Sequence, residues 1–169
     1  MATSLRLVVR IEGHAVGGTE QGNVVPQWHP VIEKIIDMPA GTTVGQIDSL
    51  AAPSGSAAAA VATVDLRGSL SSPVTQLGTQ SFTDLVLMWI ENQATTTGKT
   101  LDVGAGSNPV TSWVKASGDA VKLYPGGFFL YYAGAVDDCG TTAATGDIIS
   151  LDPGANTVAY QTLFAGRSV

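Results

Sequence analysis

From Ser4 to Ile11 the chain reads SLRLVVRI, with Leu5, Leu7 and Val9 alternating against Arg6, Val8 and Arg10. A period of two puts one set on a buried face and predicts a half-buried strand. Val31 to Met38 alternates as well. Ile32, Ile36 and Met38 share a side with Lys34, and Pro39-Ala40-Gly41 then turns the chain. Thr43 to Leu50 reads as a strand or one short helix, and Ser49 to Ser56 as the softest stretch of the chain. Ala57 opens a run of four alanines that favours helix by propensity. Val61, Thr63 and Val64 follow it, so the run reads as the start of a strand that ends near Leu66. Gly68 to Gln80 is a Ser/Pro/Gly loop. Phe82 to Glu91 (FTDLVLMWIE) is the strongest buried strand, apolar on both faces from Leu85 to Ile90 as expected of a central strand in a sandwich. A helix there would be ended by Thr95-Thr96-Thr97-Gly98 after about three turns at most.

The second half continues in the same manner. Lys99 to Val103, Ala120 to Tyr124, Phe128 to Ala133, Asp147 to Leu151 and Thr157 to Phe164 read as strands, with Trp113 close to a turn. Two of these meet at a rigid corner, Pro125-Gly126-Gly127. The whole amounts to about eight to ten short strands separated by turn signals, the pattern of an all-β sandwich, jelly roll or barrel. The expected fold is an antiparallel β-sandwich, jelly-roll-like, as a single domain over residues 1–169. His14 to Pro30 is Gly-rich, polar and aperiodic, and reads as an extended arm or long loop.

Composition narrows the function. Charged residues make up 13% of the chain, about half the ~25% of an ordinary soluble domain, which suits a surface partly covered by neighbours. The net charge is −6 and the eight basic residues are scattered, no two adjacent. Nucleic acid binding needs clustered cations, so it is not expected. A single cysteine, Cys139, excludes an intrachain disulfide and is compatible with assembly in a reducing cytoplasm. The first residues, MATSLRLVVRIEG, show no charged leader followed by an apolar core, and no run approaches the ~20 apolar residues of a membrane helix, so neither a signal peptide nor a membrane partner is expected.

Candidate chemistry is sparse. His14 and His29 both lie in the irregular segment, and no Gly-x-Ser-x-Gly turn accompanies them. Asp137-Asp138 are adjacent, so in a strand they would point to opposite faces rather than across a cleft. Their spacing to Asp147 and Asp152 matches no calcium loop. Val103-Gly104-Ala105-Gly106-Ser107 lacks the Lys and the following helix of a phosphate loop. No catalytic, cofactor or metal residue is therefore assigned. The aromatics are better candidates. Phe128, Phe129, Tyr131 and Tyr132 share one strand, so one set is core while the other faces solvent, a second sheet or another subunit. Trp28 and Trp113 sit in loop-like contexts, where an exposed Trp often anchors an interface. Trp28, His29, Trp113, Tyr131 and Tyr132 are the candidate interface residues.

The segment from Asp65 to the C-terminus resembles a family of small structural proteins of tailed bacteriophages. The likeness is carried by Asp65-Leu66-Arg67-Gly68-Ser69-Leu70, the apolar strand Leu85 to Ile90, Leu101-Asp102-Val103-Gly104 with Ser107-Asn108-Pro109, and Thr145-Gly146-Asp147-Ile148-Ile149. Its core is Gly118-Asp119-Ala120-Val121-Lys122-Leu123-Tyr124-Pro125-Gly126-Gly127 followed by apolar residues. The stretch Tyr131 to Gly140 departs from the pattern, and Met1 to Ala60 matches less well. The resemblance implies a capsid decoration, or cement, protein. Such a protein is a non-enzymatic homotrimer that sits on the virion and binds the major capsid protein. A tail- or fibre-associated module that binds a host glycan is the alternative from the same virion, and a jelly-roll hydrolase using scattered Asp residues is the rival of another class.

Overall fold

The structure, a computed structural model, describes residues 3–12, 31–73, 78–104, 106–134 and 139–168. Among these residues there are strands, turns and bends but no helix. The chain forms two compact units, Leu5–Met38 and the remainder.

The smaller unit is a two-stranded antiparallel ribbon of β1 (Leu5–Glu12) and β2 (Val31–Met38). Its register runs from Leu5 opposite Met38 to Glu12 opposite Val31, so the two alternating patterns coincide. The expected arm, residues 14–30, lies outside the described residues, as do Trp28 and His29.

The larger unit is an antiparallel β-sandwich. Its four-stranded sheet has the order β10 (Ala120–Leu123), β9 (Leu101–Gly104), β13 (Ile148–Asp152), β5 (Ala62–Asp65). The facing sheet is built on a central pair, β8 (Asp84–Asn92) and β14 (Thr157–Arg167). β11 (Phe128–Tyr132) and β12 (Cys139–Gly140) follow one another along the outer edge of β8. β3 (Ser49–Ala51) and β4 (Ser54–Ala58) do the same along β14. A minor pair, β6 (Leu70–Ser71) with β7 (Thr79–Gln80), lies apart from both sheets. The core is filled from both layers: Leu85, Met88, Ile90, Val158 and Phe164 from one, Val64, Leu101, Val103, Leu123, Ile149 and Leu151 from the other. Phe82 packs on Phe164 with ring centroids 6.5 Å apart.

Several expectations need correction. The strand expected from Ala57 to Leu66 is two strands, β4 and β5, which belong to different sheets. The break falls at Ala59, whose φ of 51° turns the chain from one layer to the other. The stretch expected to be softest holds β3 and β4, both paired to β14. At Gly55 the space is tight: a Cβ there would stand 2.9 Å from Tyr160 Oη, and the tyrosine would have to shift. Thr43 to Leu50 is mostly turns. Ala40 bridges Ile47, Ile47 is fully buried, and only Ser49 and Leu50 join a strand. The Gly68 to Gln80 loop carries the β6–β7 pair.

Candidate interaction surfaces

The Pro-Gly-Gly corner carries the chain from β10 in one sheet to β11 in the other. Gly127 N–H donates to Tyr124 C=O at 2.8 Å, and Gly126 takes a φ of 73°. With Pro125 ahead of it, this is a type II turn, which demands a positive φ at its third position. Gly127 does not share that conformation. It is constrained by contact instead, since a Cβ there would lie 2.9 Å from the Tyr124 carbonyl oxygen.

The corner is held from beneath by Asn92, the last residue of β8, which is fully buried. Its Nδ2 donates to Lys99 C=O at 2.8 Å and to Leu123 C=O at 3.0 Å. Its Oδ1 accepts from Ala94 N–H at 3.0 Å. Its backbone N–H and C=O pair with Gly127 C=O and Gly126 N–H, each at 2.9 Å. One side chain therefore ties together the end of β8, the loop to β9, the end of β10 and the turn. On either side of the turn, Tyr124 and Phe128 stand 67% and 63% exposed.

β11 resolves the question of the two aromatic sets. Phe129 and Tyr131 point inward and pack against the core. Phe128, Leu130 and Tyr132 point outward, opposite Glu91, Trp89 and Leu87 of β8. The next strand continues these rows, with Gln161 opposite Glu91, Leu163 opposite Trp89 and Ala165 opposite Leu87. Leu50 of β3 follows Ala165. The outer face of the six-stranded sheet is therefore apolar as well, with Trp89, Leu130, Tyr132, Leu163 and Leu50 half-buried along it. Glu91 is its one charge among these rows. Leu87 and Ala165 are fully buried yet stand outside the cluster that fills the sandwich.

A second apolar surface belongs to the β1–β2 ribbon. Register and alternation place Leu5, Leu7, Val9, Ile11, Ile32, Ile36 and Met38 on one face, with Lys34 as its one charge. Burial falls along this face from Met38, at 1% exposure, to Ile11 and Ile32, at 58% and 63%. The opposite face carries Arg6 with Asp37 at 3.5 Å, and Arg10 opposite Glu33.

The residues singled out from sequence are distributed unevenly. Tyr132 lies on the outer sheet face and Tyr131 in the sandwich. Trp113 is half-buried against the core, its ring 5.3 Å from that of Phe129, and its indole N–H has no partner among the described residues. It does not stand free as a surface anchor. Trp28, His29, His14, Asp137 and Asp138 lie outside the described residues. Asp147 is buried and caps a turn, accepting from Ala144 N–H at 2.6 Å. Asp152 accepts from Gly154 N–H at 2.8 Å, and Asp102 lies 3.4 Å from Lys122 Nζ. Each of these acids has local structural work. Among the described residues no group of three or more His, Cys, Asp or Glu converges on a point, and no helix is long and apolar enough to cross a membrane.

Sequence reasoning passed over Trp89, Leu130 and Leu163. The signal was present in the double-sided apolar run Leu85 to Ile90, which a two-layer sandwich does not by itself require. It also passed over Asn92, for which a lone Asn at a strand end gives no signal. Compared with protein-family models, curated proteins and solved structures, the chain matches none.

Proposed function

We propose that the protein is a capsid decoration protein of a tailed bacteriophage. It would be a non-enzymatic homotrimeric binding module on the virion surface that grips the major capsid protein and stiffens the shell. The observation that carries this reading is the second apolar face of the six-stranded sheet. A sandwich needs one apolar face per sheet, and here Trp89, Leu130 and Leu163 stand half-buried on the other, beside the fully buried Leu87 and Ala165. Such a face is useful to a chain whose work is assembly. The low charge of the chain fits the same work, because interface cores are depleted in charged residues. A ligand that binds only the assembled shell stabilises that shell by mass action.

The test is sedimentation with shells that lack this protein. Binding in a copy number set by the lattice, with a raised shell melting temperature, supports decoration; protein left in the supernatant at all ratios overturns it. One observation favours a tail or fibre module instead: Tyr124 and Phe128 present two exposed rings beside a rigid turn, a surface on which a sugar could stack. That reading predicts a few copies per virion and fluorescence quenching by host glycans.

A further inference from the structure

We infer that β11 pairs edge to edge with β11 of a second copy of this chain, antiparallel and about a two-fold axis at Leu130, so that two six-stranded sheets become one. The inference goes beyond the decoration reading and does not rest on it, because this contact is two-fold and the association proposed above is threefold.

β11 ends its sheet, with β8 on one side and no strand on the other among the described residues. The ladder to β8 decides which backbone groups are left over. Asn92 N–H donates to Gly127 C=O and Ala133 N–H to Val86 C=O, each at 2.9 Å. Bonding residues alternate along an antiparallel strand, so Phe129 and Tyr131 bond β8 as well. Phe128, Leu130 and Tyr132 then aim their N–H and C=O groups away from β8, and among the described residues these groups have no partner.

An open edge of this kind is a template for another strand, and proteins block it with charge, proline, bulges or brevity. The other edges of this fold are blocked in those ways. β10 carries Lys122, β5 is four residues long and ends on Asp65, and Pro53 separates the short β3 from β4. β11 reads Phe-Phe-Leu-Tyr-Tyr, without charge, proline or glycine, and its register with β8 has no bulge. None of its five side chains is fully buried.

The composition of the strand selects its own copy as the occupant. Two aromatic rings lie on either side of one leucine, so β11 is symmetric in kind about Leu130. Antiparallel self-pairing there sets Phe128 opposite Tyr132, Phe129 opposite Tyr131 and Leu130 opposite itself. Both faces gain Phe–Tyr cross-strand pairs, which are among the favourable ones, and no charge meets its like. The same register joins Phe128, Leu130 and Tyr132 to their counterparts through about six backbone hydrogen bonds, which uses every open group of the edge. A slide in either direction carries the pairing to Gly126 or Gly134, beyond the ends of the strand, and leaves part of the edge unpaired. Like edges joined about a two-fold form an isologous, closed contact. On the outer face the row of Trp89 and Leu130 then continues into Leu130 and Trp89 of the second copy.

The experiment uses the full chain in sedimentation velocity over a wide concentration range. Because Leu130 faces its own copy, Leu130→Lys and Leu130→Glu each set like charges opposite one another, while a mixture of the two sets opposite charges there. The natural protein is expected to associate reversibly as concentration rises. Each charged variant alone should associate about a hundredfold more weakly, and the equimolar mixture should recover most of that loss. Leu130→Cys gives a readout that stands even if the charged variants fail to fold. Cα atoms about 5.5 Å apart across the axis lie within disulfide range, so mild oxidation should join two copies quickly. Tyr124→Cys, exposed but off the edge, should be joined far more slowly. A natural protein that never associates and a Leu130→Cys chain that crosslinks no faster than Tyr124→Cys would leave the edge to another protein's strand and overturn the pairing. Association identical in the natural protein and both charged variants, or a mixture no tighter than its components, would overturn it too. Shell binding is scored on the same samples. Protein that binds shells without pairing to itself strikes the pairing alone, and protein that pairs but ignores shells strikes the decoration reading alone.

Discussion

Asn92→Ala is expected to be among the most damaging single substitutions in the chain, although the residue touches no exposed surface. The side chain makes three hydrogen bonds, to Lys99 C=O, Leu123 C=O and Ala94 N–H, at 2.8 to 3.0 Å and with no solvent exposure. Each bond is worth about 0.5–1.5 kcal/mol net, and a buried carbonyl left without a donor costs about 1–3 kcal/mol. The Leu123 carbonyl is the one most deeply enclosed, so its full penalty applies, while the other two groups recover part of their loss from water. The sum is about 3–5 kcal/mol, a large share of the ~5–15 kcal/mol that holds a domain together. At about 2–4 °C per kcal/mol for a chain of this size, melting should fall by roughly 6–20 °C. Asn92→Asp sharpens the test. It keeps the acceptor for Ala94 but aims a carboxylate at two carbonyl oxygens. Burial and those dipoles would raise its pKa in the folded state. A raised folded pKa favours stability at low pH and loses it as pH rises. The Asp variant should therefore be less stable than the Ala variant at neutral pH and recover ground on acidification. Thermal unfolding followed by circular dichroism reads both. An Ala variant that melts within about 2 °C of the natural protein, well inside the shift worked out above, would show that the corner does not depend on this side chain.

Three further outcomes follow from the same structure. Gly126→Ala places a side chain at a φ of 73° in open space, so it should cost about 1–2 kcal/mol from conformation alone. Gly166→Ala should cost more, because its Cβ would overlap the Asp84 carbonyl oxygen at the β8–β14 bulge; the reverse order in urea midpoints would contradict both assignments. Asp84→Asn removes an ion pair to Arg167 of 2.9 Å whose side chains are 28% and 16% exposed, and should cost about 1–2 kcal/mol, between surface and buried pairs, with little dependence on added salt. Cys139 is 1% exposed within the core, so a thiol reagent should react only as the protein unfolds; rapid labelling of the native protein would mean that β12 opens independently.

Most strands were legible because their side-chain pattern is local. β2 has the expected bounds, and β8, β11 and β14 lie within two or three residues of theirs, since alternation and turn residues decide them. What the sequence concealed is whatever a distant strand decides. β4 reads as a soft, Ala/Ser/Gly-rich stretch, and it is a strand because β14 supplies five paired residues. Ala59 gave no sign of its positive φ, because the turn between layers is imposed by the two sheets it joins. Trp113 read as a loop residue and is one, but the fold brings it onto Phe129, a contact that no spacing in the sequence announces.

The apolar run of β8 was legible and its meaning was not. Apolar residues on both faces predict a central strand, yet centrality within a sheet requires neighbours on both edges, not cover on both faces. The edges are supplied by β11 and β14; the inner face, Met88 and Ile90, is supplied by the opposite sheet. The outer face holds Leu87, which is fully buried, and Trp89, which is half-buried. The neighbouring strand is covered unequally. Along β14 the outward residues pass from Ala159 and Gln161, which are exposed, to Leu163 and Ala165, which are covered in part or fully. The apolar patch is thus confined to one end of the sheet, where Tyr132 and Leu50 flank it, and is bordered at the other by Glu91 and Gln161. A sheet whose outer face merely tolerated hydrophobic residues would scatter them. One that gathers them over adjacent strands, with a polar border, has the anatomy of an interface core and its rim.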